Sequence, residues 1–222
     1  DDEGALEDRI GSDDPAAWPN RLRRLHGVRQ VGEALYAVGA GRQVHRRALA
    51  AGGWTRHDHG CRVVAGSGDA SSFHDLHGRD DDELLAVGSQ GALWRWNGGQ
   101  WRALAGHGEA PLHAVQYTGN GYLATGSAGT VLRIDQDQVQ PLAHAHTGET
   151  FCGIAQAFGT VYLCSEAGGL FRLDDHTVSA LDIDADPDGG GHLAGSEDGL
   201  LWVTAARVRR LDHGGWHDIT PD

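Results

Sequence analysis

"LHAVQYTGNGYLATGSAGTVLRIDQDQVQPL", residues 112–142, decides the fold, because each part of it is either a strand or the turn that ends one. A short apolar stretch containing His113 comes first, followed by the turn "TGNG" (118–121), then "YLAT", "SAG" and "TVLRI". A last turn then leads to Val139. Glycine reaches positive φ without a steric penalty, so glycine-rich turns between strands this short are hairpin connections.

The same text recurs along the chain. "LYAVGAGRQVHRR" (35–47), "LLAVGSQGALWRW" (84–96), "VYLCSEAGGLFRL" (161–173) and "GLLWVTAARVRRL" (199–211) align with "YLATGSAGTVLRI" (122–134). The fifth positions, Gly39, Gly88, Gly126, Ser165 and Val203, are 49, 38, 39 and 38 residues apart. An opening tetrapeptide keeps the same beat: "LHGV" (25–28), "FHDL" (73–76), "LHAV" (112–115) and "FCGI" (151–154), with His192 in the fifth place. The fourth strand of each unit opens at Trp54, Trp101, Val139, Val178 and Trp216.

Four antiparallel strands every 38 to 40 residues is the period of a β-propeller blade. Apolar residues at i, i+3, i+4 and i+7 do not recur from unit to unit, which argues against a helical solenoid. The expectation is an all-β chain, a five-bladed propeller over residues 21–222. An acidic arm precedes it at residues 1–20, in which "AAWPN" supplies a closing strand that pairs with the "WHDIT" strand.

Residues 112–142 resemble the degenerate bacterial propeller repeats related to YVTN, BNR and photosystem II assembly factor repeats. Their usual form is an apolar-x-small-Val strand, an "AVG..G.I" hairpin and a Gly-Trp turn. The resemblance covers about nine tenths of the chain. It implies a propeller fold and leaves function open, since such propellers serve as enzymes, lectins, assembly factors and interaction platforms. The Ser-x-Asp-x-Gly-x-x-Trp box is missing, so no sialidase apparatus carries over. The architecture is WD40-like, but the Trp-Asp dipeptide of true WD40 blades is absent too.

Composition narrows the functional classes. The chain has 222 residues and a formal charge of −13. All 18 basic residues are arginine, which excludes Schiff-base and P-loop lysine chemistry. The negative charge repels phosphate backbones, so a nucleic-acid partner is not expected, whereas a basic protein is the natural one. No apolar run spans a membrane and no export signal is evident, which fits a bacterial cytoplasmic or periplasmic protein. There is no Met, so the sequence reads as a processed protein or a piece of a longer one. The three cysteines form no CxxC pair.

Three clusters are candidate metal sites. His26, His74, His113, Cys152 and His192 sit on the strand that lines a propeller channel, where imidazole and thiolate would suit Zn2+ or Cu2+. Packing of repeated residues is the competing explanation. In the insertion "RHDHGCRVVAGSGDASS" (56–72), His57, His59 and Cys61 alternate and would face one way on an extended segment. Asp184, Asp186 and Asp188 before Gly189 match the start of a Ca2+ loop, without a Glu at its twelfth place. The repeated Arg46, Arg95, Arg133, Arg172 and Arg210 are expected to make inter-blade ion pairs or stack on aromatic rings.

No GxSxG, HExxH or dinucleotide fingerprint appears, and no catalytic residues are assigned. The favoured function is a non-enzymatic, monomeric scaffold that presents a loop face to a basic protein, as in toxin neutralisation or complex assembly. The alternatives are a lectin with Trp54, Trp101 and Trp216 stacking on glycans, and an enzyme with a channel metal.

Overall fold

The computed structural model describes residues 24–50, 52–64, 67–105, 108–184, 186 and 189–219. The expected N-terminal arm, its closing strand and Asp188 lie outside these residues. The chain consists of five four-stranded antiparallel sheets formed in sequence order, the fold of a five-bladed β-propeller. Contacts divide it into two compact units, residues 1–104 and 105–222.

The first unit holds two blades. One is β1 (Leu25–Val31), β2 (Ala34–Gly39), β3 (Gln43–Ala48) and β4 (Thr55–Arg56). The other is β5 (Phe73–Asp80), β6 (Glu83–Gly88), β7 (Leu93–Trp96) and β8 (Trp101–Ala103). The second unit holds three: β9 (Leu112–Tyr117) to β12 (Gln138–Pro141), with β10 (Tyr122–Gly126) and β11 (Val131–Asp135) between them; β13 (Phe151–Ala157), β14 (Thr160–Ser165), β15 (Leu170–Asp174) and β16 (Thr177–Ala180); and β17 (His192–Gly195), β18 (Leu200–Val203), β19 (Val208–Asp212) and β20 (Gly215–Asp218).

Second strands such as "YLATG" are buried along their whole length, because they lie in the middle of a sheet that is covered on both faces. First strands of neighbouring blades lie against each other: β1 against β5 in the first unit, β13 against both β9 and β17 in the second. In the first unit the core gathers Tyr36, Val44, Phe73, Leu76, Trp96 and Trp101. In the second, buried residues gather around Phe151, Leu163 and Phe171 and around Leu193, Leu200 and Trp202.

The repeated tetrapeptide turns out to encode a β-bulge. Leu25 pairs with Gly39 and Gly27 with Val38, so His26 is the extra residue of β1. His74, Cys152 and His113 are the extra residues in the same way. In all four blades the residue after the repeat reference donates its N–H to the carbonyl two residues before the bulge. These bonds are Ala40 to Arg24, 2.9 Å; Ser89 to Ser72, 3.0 Å; Ser127 to Pro111, 2.9 Å; and Glu166 to Thr150, 2.9 Å. The close approach explains the glycine at the reference position: a Cβ on Gly88 would stand 1.8 Å from the Ser72 carbonyl oxygen.

The fifth blade is one residue out of the expected frame. Gly126 and Ser165 donate their N–H groups across the second turn, to Thr130 and Gly169, and it is Thr204, donating to Arg207, that does so here. Val203 instead pairs with His192, as Thr125 pairs with Ala114. The bulge position therefore falls on Gly191. The turn from β18 to β19 is one residue shorter than its counterparts, and a fixed thirteen-residue frame does not register that loss.

Candidate protein-binding surface

In a four-stranded antiparallel sheet the first and third hairpins emerge at one end and the second at the other. The first and third hairpins of these blades carry Glu33, Asp80, Asp81, Asp82, Asp135, Asp137, Asp174, Asp175, Glu197, Asp198 and Asp212. The second hairpins, residues 40–42, 89–92, 127–130, 166–169 and 204–207, carry one carboxylate, Glu166, and two arginines. Among the hairpins the carboxylates thus gather on the first and third, while the connections between blades, at the second-hairpin end, carry Asp58, Asp69, Glu109, Glu149, Asp182, Asp184 and Asp186.

The carboxylates at the acidic end are partly built into the turns. Asp80 accepts from the backbone N–H groups of Asp82 and Glu83, both at 3.0 Å, and Asp212 accepts from Gly214 N–H at 2.8 Å. The hydrogen bond from Arg79, helped by these backbone bonds, holds the Asp80 carboxyl below the usual carboxylate range. Asp82, Asp135, Asp175, Glu197 and Asp198 are exposed. Between the third and fourth blades, at the same end, lies a cleft of about 290 Å3 lined by Tyr122, Leu123, Arg133, Val161, Leu173 and Asp175. Its lining also includes Thr118 and Asn120, and its two charged residues are of opposite sign, Arg133 and Asp175.

Of the repeated arginines, two reach across blades and three pair inside their own blade, which the expectation of inter-blade pairs or ring stacking did not include. Arg46 pairs with Asp81 of the next blade and hydrogen-bonds Tyr36, whose hydroxyl also reaches Asp81 at 2.9 Å. Burial pushes the Tyr36 phenol up to about 12. Arg133 donates to the Asp175 carbonyl, 2.6 Å away, also across blades. Arg95, Arg172 and Arg210 pair within their own blades, with Glu83, Asp174 and Asp212.

The candidate channel residues have separate surroundings. In the first unit His26 and His74 meet edge to face, ring centroids 5.6 Å apart. Beside them Arg29 makes a two-pronged salt bridge to the buried Asp75, each arm 3.0 Å. In the second unit the His113 ring lies 2.9 Å from the Ser127 hydroxyl. Cys152 lies 3.9 Å from Cys164, sulfur to sulfur, while His192 is exposed. The contact with Cys164 pulls the Cys152 thiol below its ordinary range, whereas the same contact together with burial pushes Cys164 well above it.

The insertion between the first two blades is a packed strap. Residues 59–61 form a turn, so His57, His59 and Cys61 do not share one side as an extended segment would require. His57 fits between Trp96, at 4.2 Å, and Tyr36, at 5.5 Å, and burial lowers its pKa to about 4. Its carbonyl accepts from the Trp101 indole at 2.7 Å. Cys61 is buried, with its thiol directed to the Arg42 carbonyl, and His59 faces outward. Asp58, 4% exposed, is held by Arg56 at 3.0 Å and Arg62 at 2.6 Å.

In the acidic loop before β17, Asp184 is exposed and its carbonyl accepts from Arg209, whereas Asp186 is buried and accepts from the Thr204 hydroxyl. Among the described residues no group of three or more His, Cys, Asp or Glu side chains is placed to hold a metal ion. Of the tryptophans considered for sugar stacking, Trp101 is buried and Trp216 packs on Trp202. Among the described residues no helix is long and apolar enough to cross a membrane.

Sequence reasoning noted Asp135, Asp174 and Asp212 beside the repeated arginines but passed over the other hairpin carboxylates and the pairing of Cys164 with Cys152. Runs such as "RDDDE" (79–83) and "SEDG" (196–199) held the signal for the former, and "VYLCS", where other units have Val or Thr before the reference position, for the latter.

No family model matches the chain. Immune protein Tsi7 of Pseudomonas aeruginosa is 31% identical to it over 198 residues, 88% of this chain and 64% of that protein, so the chain spans less than two thirds of its relative. Among solved structures, YCF48 bound to D1 peptide superposes with a TM-score of 0.62 at 13% identity, over 87% of this chain and 65% of that one. The computationally designed Ika8 protein gives 0.59 at 17%, over 86% and 58%. PorZ, a surface component of the type-IX secretion system of Porphyromonas gingivalis, gives 0.60 at 16%, over 88% and 28%. At these identities the three structures share the fold with this chain.

Proposed function

We propose that this chain is an immunity protein: a non-enzymatic, monomeric five-bladed scaffold that neutralises a protein toxin by offering its acidic hairpin ends to a basic surface of that partner. The observation that carries the proposal is the 31% identity to Immune protein Tsi7 across 88% of the chain. The charge of −13 and the concentration of carboxylates on the first and third hairpins support the basic character of the partner. Complementary charge of this kind accelerates encounter and selects partners more than it adds to final affinity. Its blades are of the degenerate YVTN, BNR and photosystem II assembly factor kind, which provide rigid platforms.

The test is growth of bacteria that express the toxin to which the Pseudomonas relative gives immunity, with and without this chain, together with binding of the two purified proteins at low and high salt. Rescue of growth is expected, with an association rate that falls at least about tenfold as salt is raised. Absence of both rescue and binding would overturn the proposal. Rescue with a salt-insensitive association rate would remove the acidic hairpins from it.

A further inference from the structure

Cys152 and Cys164 face each other at the one seam where the repeated bulge carries sulfur instead of imidazole. Their sulfurs are 3.9 Å apart, on neighbouring strands β13 and β14. Gly153, the residue after the bulge, makes room for this: a Cβ there would lie 2.6 Å from the Cys164 sulfur. Both sulfurs are also within hydrogen-bonding reach of a single acceptor, the Gly191 carbonyl, at 3.5 Å for Cys152 and 3.4 Å for Cys164. Gly191 is the last of three consecutive glycines, all at positive φ (65°, 68° and 151°), which join the acidic loop to β17 of the next blade. The indole N–H of buried Trp202 packs against Gly191 and has no acceptor among the described residues.

We propose that Cys152 and Cys164 form a redox-active dithiol that closes to a cross-strand disulfide and thereby releases the Gly191 carbonyl, loosening the glycine hinge at the start of the fifth blade. A disulfide needs sulfurs about 2.05 Å apart, so each must move by roughly 1 Å. The oxidant is a small peroxide, which suits a half-buried thiol. The Cys152 thiolate attacks one peroxide oxygen, the O–O bond breaks, and hydroxide leaves, giving Cys152 sulfenic acid. The Cys164 sulfur then attacks the Cys152 sulfur, the S–O bond breaks, and the Cys164 proton leaves with the departing oxygen as water. Two thiols and one hydrogen peroxide become one disulfide and two waters. With both S–H donors consumed, the Gly191 carbonyl has lost the two thiol contacts that held it.

The test treats the full, reduced chain with hydrogen peroxide. The expected result is a fall from three titratable thiols to one after unfolding, a peptide joining residues 152 and 164 on non-reducing digestion, and amide exchange at 189–193 faster by about tenfold or more. The Trp202 indole resonance should shift, and reduction should reverse every change. Cys152→Ser keeps a donor toward Gly191, so it should fold, exchange slowly at the hinge and ignore peroxide. Over-oxidation of Cys152 without a link to Cys164 would overturn the dithiol. A link with unchanged exchange at 189–193 would overturn the release of the hinge.

Discussion

The seam between the two blades of the first unit and the seam between the last two blades of the second use the same repeat position in opposite ways. In the first, the bulge residues His26 and His74 stack beside the Arg29–Asp75 pair, and the strap of residues 56–64 fills the outer seam with His57 against Trp96 and Trp101. In the last, two thiols share one carbonyl, and the connection beyond it is three glycines. At the bulge itself, rings and paired charges meet in the first seam, whereas in the last only weak S–H donors and a glycine hinge do, with Trp202 and Leu193 packed behind them. A repeat fixes where two strands meet and leaves the strength of the meeting to the side chains.

The largest effect should come from emptying the stronger seam. Trp101→Ala removes a side chain only 3% exposed and the indole donor that holds the strap, and should cost about 3–5 kcal/mol, read as a lowered urea midpoint. Leu193, 5% exposed in the cluster that joins the last two blades, should cost about 2–3 kcal/mol on truncation to alanine. Equal losses at the two positions would break the comparison.

Acid should act next, and on the same side. Burial holds His45 and His57 neutral, each with a folded pKa of about 4 against about 6.5 in an unfolded chain. Between those limits the unfolded state binds more protons, so stability is full above about pH 6.5 and falls as pH drops toward 4. For the fully buried His45 the loss is on the order of 3 kcal/mol, and less for the partly exposed His57. Amide protection factors, corrected for the intrinsic slowing of exchange in acid, should therefore fall first around β3 and the strap between pH 7 and 5. His57→Phe, which keeps the ring stack and removes the titration, should flatten part of that slope.

Asp75→Ala should rank third. It leaves Arg29 without its two-pronged partner in a half-buried site, at about 2 kcal/mol, measurable as a lowered melting temperature with an unchanged fold.

The blades were legible because hairpin turns and strand lengths are local, and a repeated glycine marks a backbone contact that recurs with the fold. The channel ring was a different matter. Periodicity reports that His113 and His192 open comparable strands, but it does not count the residue lost from the turn between β18 and β19, which hands the fifth bulge to Gly191. In the insertion, the alternation of His57, His59 and Cys61 presumed an extended backbone. The burial of His57 between two aromatic rings and the Arg56–Asp58–Arg62 pairing instead bend the segment into a turn, a tertiary choice that no local pattern announces.

The smallest effect on stability, and the one that bears most on function, concerns the acidic hairpins. Asp82, Glu197 and Asp198 are exposed. Changing all three to lysine alters the formal charge by six units, yet surface substitutions of this kind usually shift stability within about 0.5 kcal/mol each. Asp81 makes a useful internal control, since Asp81→Asn removes the half-exposed partner of Arg46 and should cost about 0.5–1 kcal/mol without reversing any charge. If the hairpins steer a basic partner, the triple lysine variant should melt with the parent but associate at least about tenfold more slowly at low salt, the gap narrowing as salt rises, while Asp81→Asn melts lower and associates almost as fast. An unchanged association rate in the triple variant would move the binding surface away from the hairpin ends, to the opposite end of the blades where the strap and the glycine hinge lie.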